Sequence, residues 1–597
     1  MSTALQQRWD LESIFPGGSG SSELRRHLDE VEQGLAALRT QLETAPAAGS
    51  GEWLDYWHQV LERIQHLAEA AGQGSSFVGC LASQDVKDRE ARVLMGRTID
   101  LGAALQAVAA IADDKLVHMA DAEFEALLAD ERIAPLTFNL RERRDLAKKK
   151  MNTQRELLAT ELAIDGYHGW GTLYDTIVGR MAIKLEVDGK EEELSVGQAS
   201  NKFYEPDRDL RSRLFTKWEE AWSQEAELCA GALNHLSGFR LALYKHRGWD
   251  SFLDEPLAIN RMSRGTLDAM WEAVSSAKPT LVKFLERKAK LLGYDQMNWY
   301  DLYAPLSDAS SKMSYEEAAD FVVEHFGRFS PQMADFASHA FNHAWIEAEN
   351  RPGKAPGAYC TGVPLHKESR IFMTFSGDSN SVRTLAHELG HGYHSHVMRN
   401  LPPLTQEYAM NVAETASTFA EMLINAAAIA KARSKAEKLA LLDSKISDSV
   451  SYLMNIHGRF LFETRFYEAR KKGMVSIDRL CQLMEEAQKE AYAGALGVYH
   501  PHFWAAKLHF YATDVPFYNF PYTFGYLFSA GIYARAKEEG PQFEQKYVDL
   551  LCDTGRMTVE DLASRHLGVD LTKPDFWLTG VKMALDDVEE FLALTAE

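Results

Sequence analysis

Residues 381–396 read SVRTLAHELGHGYHSH. Inside them His387-Glu388-Leu389-Gly390-His391 matches H-E-x-x-H. On a helix, positions i and i+4 lie one turn apart on the same face. Two imidazoles so placed reach one ion at about 2.0–2.1 Å. Glu388 falls on the adjacent edge of that face, placed to touch a water held by the ion and not the ion itself. With 20 His in 597 residues, roughly 0.06 chance matches are expected in the whole chain. The pentapeptide is therefore a specific signal. Asn380 or Ser381 is positioned to cap the helix. Gly390 and Gly392 are poor helix formers and predict that something packs close to the backbone there. His394 and His396 read as hydrogen-bonded neighbours or surface groups.

A catalytic zinc needs a third protein ligand and an open position. The further histidine of the metzincin pattern is missing, since Val397 and Met398 follow His396. The other option is a carboxylate from a later helix. Residues 410–423 (MNVAETASTFAEML) supply Glu414, set among Ala413, Ala416 and Ser417, with Glu421 two turns on. Either carboxylate could ligate. The small residues around Glu414 predict a buried carboxylate, which needs a partner. Glu421 is the better candidate for orienting a ligating histidine.

Working outward, the dominant pattern is helical. Leu24, Leu28, Val31, Leu35 and Leu38 predict an amphipathic helix over 22–45. Similar stretches recur at 53–72, 83–112, 208–246, 264–292, 315–349, 431–470 and 475–495. Strand signals are few. Asp188-Gly189 between two alternating runs predicts a hairpin over 181–197. Residues 369–376 (SRIFMTFS) predict a second strand, with an edge that a substrate peptide could extend. A boundary near 200 would separate an N-terminal helical domain (1–200) from a catalytic domain (201–597). The basic run Arg141 to Lys150 reads as a solvated helix face.

Composition bounds the partners. Lys and Arg number 64 against 86 Asp and Glu, a net charge of −22, which argues against a polyanion such as nucleic acid. Five scattered cysteines without a CxxC predict a reducing compartment. The first residues lack a basic start followed by an apolar core. No run of about 18 uninterrupted apolar residues suggests a membrane span. A cytoplasmic protein without membrane partners is the expectation.

These motifs make the chain recognisable. It resembles the oligoendopeptidase F branch of the thimet oligopeptidase family of zinc peptidases. The matching pieces are Trp9-Asp10-Leu11 with Phe15-Pro16-Gly17, Gly357-Ala358-Tyr359-Cys360-Thr361, Thr384 to His391, Glu414-Thr415-Ala416-Ser417, and Phe517 to Tyr526. The resemblance implies a mostly α fold: a two-lobed helical shell enclosing a deep channel, with a small β element beside the HExxH helix. It implies one Zn2+ per chain on His387, His391 and Glu414. It also implies that His509 and a tyrosine of 518–526 face the scissile carbonyl; Tyr526 ranks before Tyr522. The expected activity is hydrolysis of internal bonds in short oligopeptides, with Glu388 as general base for zinc-held water. Two rivals stand beside it: a zinc metallocarboxypeptidase of similar build, and a non-catalytic peptide-binding protein with a structural zinc.

Overall fold

The computed structural model describes residues 5–46, 49–187, 189–306 and 312–596. Its elements are overwhelmingly helical, with one two-stranded and one three-stranded sheet among the described residues. Helix α1 (Ser22–Glu43) starts where the Ser21 side chain accepts the Leu24 N–H, and buries Leu24, Leu28, Val31, Leu35 and Leu38 at the predicted spacing. Together with α2 (Trp53–Gln84) and α3 (Arg89–His118) it builds a smaller core, closed by Val363, Phe372 and Leu404 from far along the chain. By length and composition α3 is apolar enough to cross a bilayer. Here it packs along α1 and α2, with Leu94, Leu101, Val108 and Leu116 inward.

The larger core runs from Ala163 to Phe591. It takes in the hairpin of β1 (Ala182–Val187) and β2 (Lys190–Ser195), whose Ile183, Leu185 and Leu194 pack against α4 (Arg208–Arg247). Asp188, half of the hairpin signal, lies outside the described residues; Gly189 has the left-handed φ of 75° that such a turn requires. Between Leu140 and Ala163 the buried residues pass from the smaller core to the larger.

Three sequence expectations need correction. The stretch 315–349 divides at Ser330, where Pro331 opens a second helix, and ends in strand β3 (Ile346–Glu347). Pro at the first position of a new helix removes a donor that would break a continuous one. The run 431–470 is two helices, α7 (Lys435–Val450) and α8 (Ile456–Arg470), around a π-helical turn. The basic run is solvated at Arg141 and Lys148 to Lys150, but Arg144 departs from that face: it is buried and donates to the Leu116 and Met119 carbonyls, while Arg141 and Arg143 pair with Glu125 and Asp113.

The three-stranded sheet has the order β3–β5–β4, with β4 spanning Tyr359–Val363 and β5 Glu368–Phe372. Strand β5 is central, parallel to β3 and antiparallel to β4. Ile371 and Phe372 therefore have both edges occupied and offer no edge to a peptide; β3 and β4 are the outer strands. The N-terminal segment is stitched to the same sheet. Asp10 N–H donates to the Ala344 carbonyl at 2.7 Å, Ala348 N–H to Gln7 at 2.8 Å, and Arg370 Nε to the Asp10 carbonyl at 3.0 Å.

Candidate metal centre

Helix α5 (Ser379–Met398) follows the sheet. Its cap is Asp378, not Asn380 or Ser381: the Asp378 carboxylate accepts the Ser381 N–H at 2.8 Å and the Ser381 hydroxyl at 2.8 Å. Leu385, Ala386, Leu389 and Tyr393 are buried. The close packing forecast by the glycines is present. A Cβ on Gly390 would lie 2.6 Å from the Ala416 carbonyl oxygen and from Ser417 Cα, both on α6 (Thr415–Lys431). A Cβ on Gly392 would meet the Phe336 ring at 2.8 Å. Glycine thus lets α6 press against the backbone of α5 one residue from His391.

That contact delivers the third ligand group. Glu414 sits at the N-terminal end of α6. Its Oε2 lies 3.3 Å from His387 Nε2 and 3.5 Å from His391 Nε2, and the two imidazole nitrogens are 3.1 Å apart. The circle through these three atoms has a radius of about 1.9 Å, which suits an ion bound at about 2.0–2.1 Å from each. Among the described residues this is the one group of His, Cys, Asp and Glu arranged to hold a metal ion. Three nitrogen and oxygen donors of this kind fit a zinc-class cation.

Each ligand group is held from behind. Glu421 Oε1 is 2.5 Å from His387 Nδ1, which leaves Nε2 for the centre. The backbone of Ala413 hydrogen bonds His391. The Ser417 hydroxyl donates to Glu414 Oε2 at 2.8 Å. Arg383, one turn before His387, lies 3.9 Å from Glu421 and pairs with Asp448. Ser417 and Arg383 escaped the sequence reading, although the spacings i+3 from Glu414 and i−4 from His387 mark both. His394 and His396 stay outside. His394 is buried, bonds Thr554 Oγ1 at 2.9 Å and stacks on Tyr408; His396 stands beside Phe336.

Glu388 is 5% exposed, and its Oε2 has no hydrogen-bond partner. Burial pushes its carboxyl up to about 7; His387 opposes the shift, while Glu414 and Glu421 add to it. A buried orphan carboxylate is costly unless something arrives to bond it.

His509 and the tyrosines belong to later elements of the same core. The His509 ring stacks on Tyr518 at 5.1 Å and meets Tyr522 edge-on at 6.1 Å. Burial, then the cations of Lys507 and Arg459, drive His509 down to about 3, so its imidazole is neutral. Tyr522 and Tyr526 share helix α9 (Phe520–Glu539). Tyr522 feels the charge of Glu414. Gly525, three residues on, packs so tightly that a Cβ there would lie 3.1 Å from Glu414 Cβ. Tyr526 points elsewhere, with its hydroxyl 2.8 Å from Ser449 Oγ and its ring stacked on Tyr452. The structure thus groups Tyr522 with His509 and leaves Tyr526 apart.

The profile of peptidase family M3 matches residues 203–583, which contain every residue just described. The chain belongs to peptidase family M3. The profile named Oligopeptidase F matches residues 115–182 of this M3 chain. Oligopeptidase PepF of Bacillus subtilis is 23% identical over 611 residues, covering 98% of this chain and 87% of that one. An oligoendopeptidase F homologue of Lactococcus lactis is 27% identical over 336 residues, 55% of each chain. Among solved structures, a putative peptidase from Chlamydophila abortus superposes with a TM-score of 0.83 at 19% identity, covering 99% of both chains. Oligoendopeptidase-F from Enterococcus faecium gives 0.68 at 16%, covering 96% and 99%. These likenesses support the mostly helical M3 shell.

Proposed function

We propose that this M3 peptidase is a zinc-dependent endopeptidase that hydrolyses internal bonds of short oligopeptides in the cytoplasm. The observation that carries the reading is the triangle of His387, His391 and Glu414 with an unpartnered Glu388 carboxylate one residue from the first ligand. A zinc ion held by those three side chains would polarise a peptide carbonyl and make water acidic enough to attack it at neutral pH. Glu388 accepts the proton of the attacking water and delivers it to the departing amine nitrogen. The neutral His509 ring and the Tyr522 hydroxyl donate hydrogen bonds to the carbonyl oxygen as it gains charge. Tyr526 takes that role only by leaving Ser449. The outer strand β4 offers its free edge to an extended peptide. Five unpaired cysteines support the cytoplasmic placement.

A peptide length series with product mass measurement, run with and without a chelator, tests the reading. Internal cleavage of C-terminally amidated peptides, abolished by chelation and restored by zinc, is the expected result. Removal of single C-terminal residues only would make it a carboxypeptidase, and zinc-loaded protein that binds peptides without cutting them would make it a binding protein.

A further inference from the structure

A cavity of about 1180 Å³ adjoins the first turn of α5, with Ser379, Val382 and Arg383 on its wall. Most of its cations are answered by carboxylates. Lys288 pairs with Asp443 at 2.8 Å, Lys431 with Glu324 at 3.0 Å, Lys445 with Asp587 at 2.8 Å, and Arg383 with Asp448. Arg433 has no ion pair among the described residues, but it is exposed to water; the buried Arg459 of α8 and the half-buried Lys507 are the exceptions. Among the described residues neither has a carboxylate within ion-pair distance. Arg459 is only 7% exposed; its Nε has no partner and its Nη1 donates to the Asn519 side-chain oxygen at 3.3 Å. The two cations flank one aromatic ring, with the Arg459 guanidinium 5.6 Å and the Lys507 ammonium 5.9 Å from the Phe503 centroid.

Two like charges in a half-dry wall are unfavourable unless an anion joins them. Their location says which anion. Lys507 is two residues from His509, and the charge of Arg459 reaches both His509 and Tyr522. The pair therefore neighbours the group that the proposed function sets against the scissile carbonyl. A guanidinium fork and an ammonium around one ring offer the kind of donors that carboxylates take in two-point fashion. We propose that Arg459 and Lys507 form a carboxylate-binding subsite, which holds the C-terminus or an acidic side chain of the peptide and so selects where it is cut. The proposal rests on the peptidase reading for its substrate, not for its geometry. Burial, then the charge of Arg459, lowers the Lys507 ammonium to about 7, a shift that a bound carboxylate would reverse. The sites differ in kind from the metal centre, since no ion and no Glu388 chemistry is involved in holding the carboxylate.

The test uses peptides of neutral sequence made as free acid and as C-terminal amide, plus amidated peptides with one Glu replaced by Gln. Wild type is expected to favour the acid over its neutral counterpart by about tenfold or more in kcat/KM, mostly through KM. A preference confined to the free acid assigns the subsite to the C-terminus, and one confined to the Glu peptide assigns it to a side chain. Lys507→Met keeps the apolar stem over Phe503, and Arg459→Lys keeps one charge in the core; each is expected to shrink the ratio towards one. Equal rates for charged and neutral peptides in both arms would overturn the proposal, as would a preference that survives both substitutions. If wild type cuts nothing, the peptidase reading fails on its own. The subsite is then decided by calorimetric titration of Glu388→Gln protein with the acid and the amide, where equal affinity overturns it and a tenfold gap lost in the Lys507→Met double variant supports it.

Discussion

The Glu421 carboxylate stands 2.5 Å from Nδ1 of His387, across the ring from the nitrogen that faces Glu414. This contact sets the tautomer: with Nδ1 bonded to Glu421, the lone pair of Nε2 is free for a cation. Glu421→Gln is expected to weaken metal binding about 10–100-fold. Competition against a calibrated chelator reads it directly, and unchanged affinity would remove Glu421 from the centre.

Glu388→Gln keeps the shape of the side chain and loses its basicity. Zinc content should stay at one per chain while turnover falls about 10²–10⁴-fold. Hydrolysis at a near-normal rate would show that another group takes the proton.

The two tyrosines of α9 separate by which parameter moves. Tyr522→Phe is expected to lower kcat about 100-fold with little change in KM, the loss of one donor to a developing oxyanion. Tyr526→Phe should cost much less, because its hydroxyl is occupied by Ser449. The reverse order would mean that Tyr526 swings into the site when substrate is bound.

Gly390→Ala places a methyl 2.6 Å from the Ala416 carbonyl oxygen. A backbone oxygen cannot yield as a side chain can, so α6 must retreat and carry Glu414 with it. A loss of about 1–3 kcal/mol is expected, with weaker metal binding in the same protein. Thermal unfolding and metal titration of one preparation check both; a stable variant with full metal affinity would contradict the packing argument.

Glu219 of α4 clamps the segment that carries His509, its two oxygens bonded to His500 and, at 2.6 Å, His502. Although burial opposes its charge, the two imidazoles hold Glu219 down to about 2 from an ordinary 4.5. Burial also opposes charge on His502, but bonds to Cys481 and Glu219 raise it to about 9 from 6.5. The carboxylate's contribution is complete above pH 4.5 and is lost as the pH falls through 2; that of His502 is complete below 6.5 and is lost as the pH rises through 9. The clamp is therefore strongest between 4.5 and 6.5. Glu219→Gln should depress Tm most in that window and progressively less towards pH 9. A Tm gap that ignores pH would show that packing, not charge, holds the segment.

The cluster of His387, His391 and Glu414 was legible because the helical repeat puts residues four apart on one face, and small residues around Glu414 announced close contact. Gly390 told of that contact before its partner was visible. The choice between Tyr522 and Tyr526 was not legible. Helix α9 is buried on nearly every side, so no apolar stripe says which way a given turn faces. The order β3–β5–β4 was equally hidden, since local alternation cannot reveal which strand ends up in the middle. Arg144 misled for a similar reason: a basic run looks solvated until the carbonyls that end α3 claim one member.

The seam between Gln7–Asp10 and Ala344–Arg370 spans more than 300 positions of sequence. During synthesis the Gln7–Asp10 segment has no mate until Ala344 to Arg370 have been made. Maturation of the sheet beside the HExxH helix is therefore a late, post-assembly event. A substitution that weakens the Gln7–Asp10 contacts would be felt not where it is made but in how fast newly made protein becomes competent.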